Sequence, residues 1–374
     1  MQLIKNKPFL DTLIWNLKRH SIRRIVLLTG YLSETFENYY GDGSRFGISI
    51  KYSKETNQAG TGGALKLAEK YLDDYFFLIN GDTLFDINYL DLAYSFNLDK
   101  VGIMALYKVK DVEQYGTVKI SKNLIESFNE KSERNQGYIN SGVGIFKKEI
   151  CNYINKIPSS LEKDIFPLLV KERKLLGKKY NSFFIDIGLP ESLKDARRIL
   201  PNWRKKPALF LDRDGTINKD FGYVYTKKDF KWIKGAKDLI KYANDIGIIV
   251  IIITNQSGIA RGFYSENDFF ELTEDINKDL ILMGAHIDAT YFCPHHPQKG
   301  KGKYKIECNC RKPKSGMFES ALNDWKLNIK NCIAIGDKPR DIKAAESLGI
   351  KSFLFNSYGQ DLKILYKKEL DNLI

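Results

Sequence analysis

The chain is poor in several things, and each shortage excludes something. It has only 10 prolines in 374 residues, against 43% hydrophobic and 28% charged, which leaves little room for a long disordered tract. No apolar run approaches the ~20 residues of a membrane-spanning helix. Residues 1–20 read as an amphipathic helix rather than a signal peptide, so a cytoplasmic protein without a membrane partner is expected. Acidic residues are the minority, 46 against 59 Lys and Arg, and the resulting charge of +13 suits a protein that handles anions. Charge alone does not choose among phosphorylated metabolites, nucleotides and nucleic acid. Of five cysteines, Cys151 and Cys332 stand alone, whereas Cys293, Cys308 and Cys310 cluster with histidines. That pattern points to a metal in a reducing compartment rather than to disulfides. The length exceeds one ordinary core, and two or three domains are expected.

What is present is organised around ALFLDRDGT, residues 208–216. In an extended strand, residues two apart share a face, so Asp212 and Asp214 leave the strand end together. Adjacent carboxylates repel unless a cation lies between them. Mg2+ with oxygen ligands answers this and leaves one carboxylate oxygen free to attack phosphorus. Residues 248–253 are six consecutive β-branched residues, the pattern of a strand buried on both faces. They run into Thr254, Asn255, Gln256 and Ser257. A helix beginning at Ser265, with Asp268 three residues on, carries a capping box. Cys293-x-His295, twelve residues, then Cys308-x-Cys310 form a closed Cys3His set suited to structural Zn2+, with His295 preferred over His296. Arg311 and Lys312 follow directly, where the zinc loop would fix two cations over a phosphoryl group. Finally an apolar strand at 332–335 leads into Asp337, Lys338 and Asp341.

LDRDGTIN resembles the first motif of the haloacid dehalogenase (HAD) superfamily of aspartate-nucleophile phosphatases, and Thr254, Lys312 and Asp337 fall in order at its other three. The resemblance implies Asp212 as nucleophile and Asp214 as acid and base. It further implies Mg2+ held by Asp212, Asp214 and Asp337, with Asp341 in support, and phosphoryl oxygens held by Thr254, Asn255 and Lys312. FLDRDGTIN, GYV, TNQSGIARG, CPHHP, C-x-CRKP and GDK are similar to the heptose-bisphosphate phosphatase family across residues 207–356. This implies a phosphorylated heptose substrate, met by Asp220, Tyr223, Asn255, Gln256, Ser257, Arg311 and Lys338. Histidinol-phosphate phosphatases have a related but shorter loop. A nucleic-acid 3′-phosphatase would use the positive charge, but no aromatic and basic groove signature is present, and no nucleic-acid partner is expected.

The first half alternates strands (24–28, 48–52, 75–79) with helices, the pattern of an α/β domain with a mostly parallel sheet. GDGSRFG, AGTGGAL, NGDT, NEK, INSGVGIF and FIDIG occur in the order seen in sugar-phosphate nucleotidyltransferases, and the stretch resembles their heptose-1-phosphate guanylyltransferase branch. Nucleotide contacts from Gly60 to Gly63, Gly62 among them, are implied, with metal binding by Asp82 and Asp186 and sugar-phosphate contacts by Lys131 and Asn140. That family opens on a buried strand and a Gly-rich loop. Met1 falls past both, so inefficient nucleotidyl transfer is expected. The expected organisation is α/β with two Rossmann-like domains: residues 1–198 lacking a first strand, a basic linker at 199–206, and a capless HAD domain at 207–374 carrying the zinc loop. The sequence leaves the oligomeric state open.

Overall fold

The computed structural model describes residues 1–109, 116–129, 136–356 and 359–374. It divides into two compact units, Met1–Ile199 and Leu200–Ile374.

In the first unit a short hairpin, β1 (Leu3–Ile4) and β2 (Lys7–Pro8), leads into the helix Phe9–Arg19, which buries Phe9, Leu13, Ile14 and Leu17 as its periodicity predicts. β3 (Arg24–Thr29) and β4 (Ser49–Lys54) pair in parallel as a sheet of two. The remaining strands are β5 (Tyr75–Ile79), β6 (Thr83–Phe85), β7 (Gly102–Val109), β8 (Thr117–Ser121), β9 (Leu124–Asn129), β10 (Gly137–Lys147), β11 (Leu175–Tyr180) and β12 (Phe184–Asp186). Six of them form a sheet ordered β5-β10-β7-β11-β9-β8, while β12 and β6 pair separately.

The expected mostly parallel sheet is therefore corrected to a mixed one. β10 runs antiparallel to both β5 and β7, and β8 runs antiparallel to β9. The β8–β9 turn is Lys122-Asn123, both with positive φ (44° and 66°), which is the turn geometry that suits a tight hairpin. Neither residue is glycine, so the sequence carries only a weak signal for it. The helix Pro190–Trp203 also runs through Pro201 into the stretch expected as a linker. Lys206, expected in solvent, is buried with its ammonium 4.5 Å from the Trp203 ring centroid.

The second unit is simpler. β13 (Ala208–Leu211), β14 (Ile249–Asn255), β15 (Ala289–Cys293), β16 (Cys332–Gly336) and β17 (Lys351–Leu354) form one parallel sheet ordered β15-β14-β13-β16-β17. β13 lies between β14 and β16, and its four side chains are fully buried. Leu209 and Leu211 pack with Leu239, Ile240, Val250, Ile252, Ile333 and Ile335 in one core. Burying a side chain of this kind contributes ~1.5–3 kcal/mol. The predicted capping box forms, Ser265 and Asp268 bonding reciprocally across the helix start. Because all five strands run the same way, their carboxyl ends collect on one edge, where ligands of such sheets bind.

Candidate active site and metal centre

Asp212 follows β13, Thr254 and Asn255 close β14, Cys293 ends β15, and Asp337 follows β16. Strand order thus assembles residues more than a hundred positions apart. Lys312, the side chain of which is almost wholly buried, donates to Asp212 Oδ1 at 2.7 Å and to the Ile253 carbonyl at 2.7 Å, and pairs with Asp341 Oδ1 at 2.7 Å. Two of the three ammonium protons thus have hydrogen-bond acceptors, and the Asp341 carboxylate lies alongside as an ion-pair partner. Burial pushes the Asp212 carboxyl up, to about 7, with Lys312 pulling the other way and Asp341 adding to the rise.

Asp214 points elsewhere. Its carboxylate accepts from Arg213 Nη2 at 2.9 Å, from Gln256 Nε2 at 2.9 Å and from Asn218 Nδ2 at 3.1 Å. Gln256, expected among substrate contacts, is buried. Its amide nitrogen also donates to Thr254 Oγ1 at 2.8 Å, and its oxygen accepts from Tyr264 and Arg213. It therefore orients Asp214 and Thr254 rather than facing a ligand. Since the Thr254 oxygen is already accepting, the hydroxyl proton is free to be directed at a phosphoryl oxygen. Asn255 exchanges two hydrogen bonds of 3.1 Å with the Lys312 backbone and so fixes that lysine's position.

Arg213 was not singled out in the sequence. It sits between the two aspartates, only 2% exposed, and ties Asp214 to the Val224 carbonyl and to Gln256. The available signal was a cation inside an otherwise buried string, a placement that arginine tolerates only when paired.

Side-chain oxygens of Asp212, Asp337 and Asp341 lie within 4.8 Å of one another. Asp341 is committed to Lys312, and the Asp214 carboxylate is outside this group. Asp337 Oδ1 is buried without a hydrogen-bond partner, as expected of an oxygen waiting on a cation. Burial pushes the Asp337 carboxyl up, against the pull of Lys338, which pairs with Oδ2 at 2.7 Å. The site thus fits a divalent cation at Asp212 and Asp337. Gly215 has φ +91°, and a Cβ there would lie 2.2 Å from Asp337 Oδ2, so only glycine lets the turn approach so closely. Beside these residues a cavity of about 570 Å³ is lined by Gly215, Asp220, Phe221, Asp337 and Lys338. Tyr223 is 40% exposed on the neighbouring loop, its ring edge-on to Phe263. Ser257 begins the short helix Ser257–Arg261 and is partly buried.

Cys293, His295, Cys308 and Cys310 converge, with ligand atoms within 4.8 Å of one another. Their sulfurs are 3.2–3.6 Å apart, and His295 Nδ1 is 3.4 Å from Cys310 Sγ. All five cysteines are free of disulfides. The edge of a zinc tetrahedron with Zn–S of ~2.3 Å is ~3.8 Å, close to this spacing. The cluster can hold a metal ion. His296 Nδ1 instead accepts from the Gln298 and Lys299 amides, which keeps it out of the set. Arg311 Nη1 donates to the His295 carbonyl at 3.2 Å, so the cluster also positions that guanidinium.

In the first unit, pairing of β12 with β6 sets Asp186 opposite Thr83, beside Asp82. Burial pushes the Asp186 carboxyl up, the Gly188 amide pulls the other way, and the charge of Asp82 adds to the rise. Asn140 lines a cavity of about 390 Å³ with Gly60, Thr61 and Asn80. The Gly62 and Gly63 amides, however, donate to the Ser159 carbonyl at 2.9 and 3.2 Å and are not free for a phosphate. Lys131 lies outside the described residues.

A nucleotidyl transferase family profile matches residues 1–202, and a HAD-hydrolase-like profile matches residues 309–362. A D-glycero-beta-D-manno-heptose-1,7-bisphosphate 7-phosphatase of Vibrio cholerae is 46% identical over 145 residues, 39% of this chain and 78% of that protein. The chain belongs to both families, one in each unit. The D-glycero-alpha-D-manno-heptose-1,7-bisphosphate 7-phosphatase of Burkholderia mallei is 44% identical over 150 residues, 40% of this chain and 79% of that one. Relatives named for the two anomers are thus nearly equidistant. HddC from Yersinia pseudotuberculosis, crystallised with GMP-PN, is 30% identical, with 54% of this chain and 88% of that chain covered and a TM-score of 0.48. No helix among the described residues is long and apolar enough to cross a membrane.

Proposed function

We propose that residues 207–374 hydrolyse the C7 phosphate of D-glycero-D-manno-heptose 1,7-bisphosphate, leaving heptose 1-phosphate, by way of an aspartyl-phosphate on Asp212. The observation that carries this reading is the buried Asp212 held by Lys312 between Asp341 and the end of β14. Asp212 attacks phosphorus in line, and the bond to O7 breaks as Asp214 delivers a proton to that oxygen. Asp214 then takes a proton from water, which attacks the acyl phosphate, releases inorganic phosphate and regenerates Asp212. Thr254, Lys312 and the Asn255-fixed backbone hold the equatorial oxygens on which transition-state charge spreads. Asp212 and Asp337, with the Asp214 carbonyl, would hold Mg2+, which when bound would supply positive charge to offset that of the phosphate. Arg311, Lys338 and the loop from Asp220 to Tyr223 meet the sugar and its second phosphate. The Cys3His cluster takes Zn2+ in a structural role.

Phosphate release from the bisphosphate tests this, with 31P NMR of the product retaining the C1 signal. Equal or greater turnover of histidinol phosphate or of a 3′-phosphorylated oligonucleotide would overturn the substrate assignment. For the first unit, a second reading rests on its Asp82–Asp186 pair and the adjoining cavity: a site for nucleotide or sugar phosphate. With the Gly62 and Gly63 amides spent on Ser159, GTP turnover with heptose 1-phosphate is expected to be far slower than phosphate release.

A further inference from the structure

Two further lysines, Lys219 and Lys234, line the cavity of about 570 Å³ beside Asp337. Local pairing of the chain brings them there. Asn218 bridges Trp232 antiparallel, with the Lys219 amide donating to the Lys231 carbonyl at 2.8 Å and the Ile233 amide to the Ile217 carbonyl at 2.9 Å. The Lys234 carbonyl accepts from the Leu362 amide at 3.0 Å, which ties this turn to the start of the last helix, Leu362–Asp371. Buried Ile233 and Phe221, which is 64% exposed, supply the apolar side chains of the lining.

The charges do not balance. Lys338 pairs with Asp337 Oδ2 at 2.7 Å, and Asp220 Oδ1 accepts from the Gly222 amide at 3.0 Å. Lys219 and Lys234 have no acidic partner among the described residues. Three ammoniums set against two carboxylates leave the cavity with a positive excess, and cations gathered on one cavity wall favour an anion between them. Its volume lies within the range of small-molecule sites.

The topology separates this cavity from Arg311. Its lining follows β13, β16 and β17 in the chain, whereas Arg311 is held at the His295 carbonyl beyond β15, and β15 and β17 are opposite edges of the sheet. Gly215 and Asp337 belong both to the cation site and to the cavity wall. A sugar with one phosphate on Asp212 can therefore extend directly into the cavity.

We propose that Lys219 and Lys234, together with Lys338, receive the second phosphate of the substrate and make the chain select a sugar phosphorylated at both ends. This rests on the hydrolysis proposed above and names the side chains that choose its substrate. The ammoniums donate charge-assisted hydrogen bonds to the phosphate oxygens, and Phe221 meets the carbon face of the sugar. Lys219 and Lys234 touch no reacting atom, so their contribution falls on binding.

The test compares kcat/KM of the full chain on the bisphosphate and on the same heptose phosphorylated at C7 alone. Wild type should favour the bisphosphate, and the double variant Lys219→Gln, Lys234→Gln should narrow that ratio at least ~10-fold, mainly by raising KM for the bisphosphate. Lys219→Arg with Lys234→Arg keeps the charge and should restore most of the ratio. Lys367→Gln with Lys368→Gln removes the same charge from exposed positions of the last helix and should leave the ratio as it is. No preference in wild type, an unchanged ratio in the Lys219 and Lys234 glutamine variant, or equal narrowing in the Lys367 and Lys368 variant would overturn the proposal. Absence of phosphate release from both compounds is a different result, and it overturns the phosphatase reading and this inference together.

Discussion

β13 and β3 are both short, apolar and parallel to a neighbour, yet β13 is buried at every position and β3 at one of six. Their neighbours make the difference. β13 has a strand on each side, β3 on one. The same contrast extends to chemistry. In the second unit a complete parallel sheet brings the ends of β13, β14 and β16 together with Asp212, Thr254 and Asp337, and Lys312 reaches them from the segment after the Cys3His cluster. In the first unit the sheet is divided; Asp82 and Asp186 meet, but the Gly62 and Gly63 amides are turned onto Ser159. In the second unit, where the sheet is continuous, the strand ends and the site residues converge together.

The largest expected effect breaks the comparison if it fails. Asp212→Asn should lower phosphate release at least ~1,000-fold with an unchanged melting profile; persistent release would place hydrolysis outside the second unit. Chelation of the Cys3His cluster comes next. Removing the metal from a loop with few core residues should abolish activity and lower the second unit's melting temperature by ~10 °C or more. Hydrogen exchange in β3 to β5 should be unaffected, which sharpens the independence of the two units. Gly215→Ala forces a side chain towards Asp337 at positive φ and should cost ~1–3 kcal/mol by denaturant titration, together with weaker Mg2+ binding.

The smallest effect concerns pH. Asp212 has its carboxyl raised to about 7 by burial, so below that pH the neutral form gains and the nucleophile is lost. A cation at Asp212 and Asp337 favours the ionised form and opposes this. The acid limb of kcat/KM should therefore fall as pH drops through this range at low Mg2+ and shift to lower pH as Mg2+ rises. An acid limb indifferent to Mg2+ would contradict the placement of the cation beside Asp212.

Much of the second unit is legible in its sequence because Asp212, Thr254 and Asp337 each follow or close an apolar run, and a parallel sheet places every such end on one edge. The roles of Arg213 and Gln256 were not legible, since which residue orients another is decided by side-chain packing three turns of chain away. In the first unit the β8–β9 hairpin was missed because its positive-φ turn is built from Lys122 and Asn123 rather than glycine. The helix through Pro201 was missed because proline and a basic run read as a break. The Gly62 amide, expected to face a nucleotide, is instead bonded to the Ser159 carbonyl. A glycine-rich string offers free amides only if no carbonyl has already taken them, and Ser159 lies nearly a hundred residues away.

The central claim is that Asp212 carries the phosphoryl group during turnover. Rapid quenching with borohydride during steady-state hydrolysis of heptose bisphosphate reduces an acyl phosphate to the alcohol, which converts the aspartate to homoserine. Peptide mapping should find homoserine at position 212, absent without substrate. Homoserine at any other position, or none while phosphate is still being released, would contradict the account.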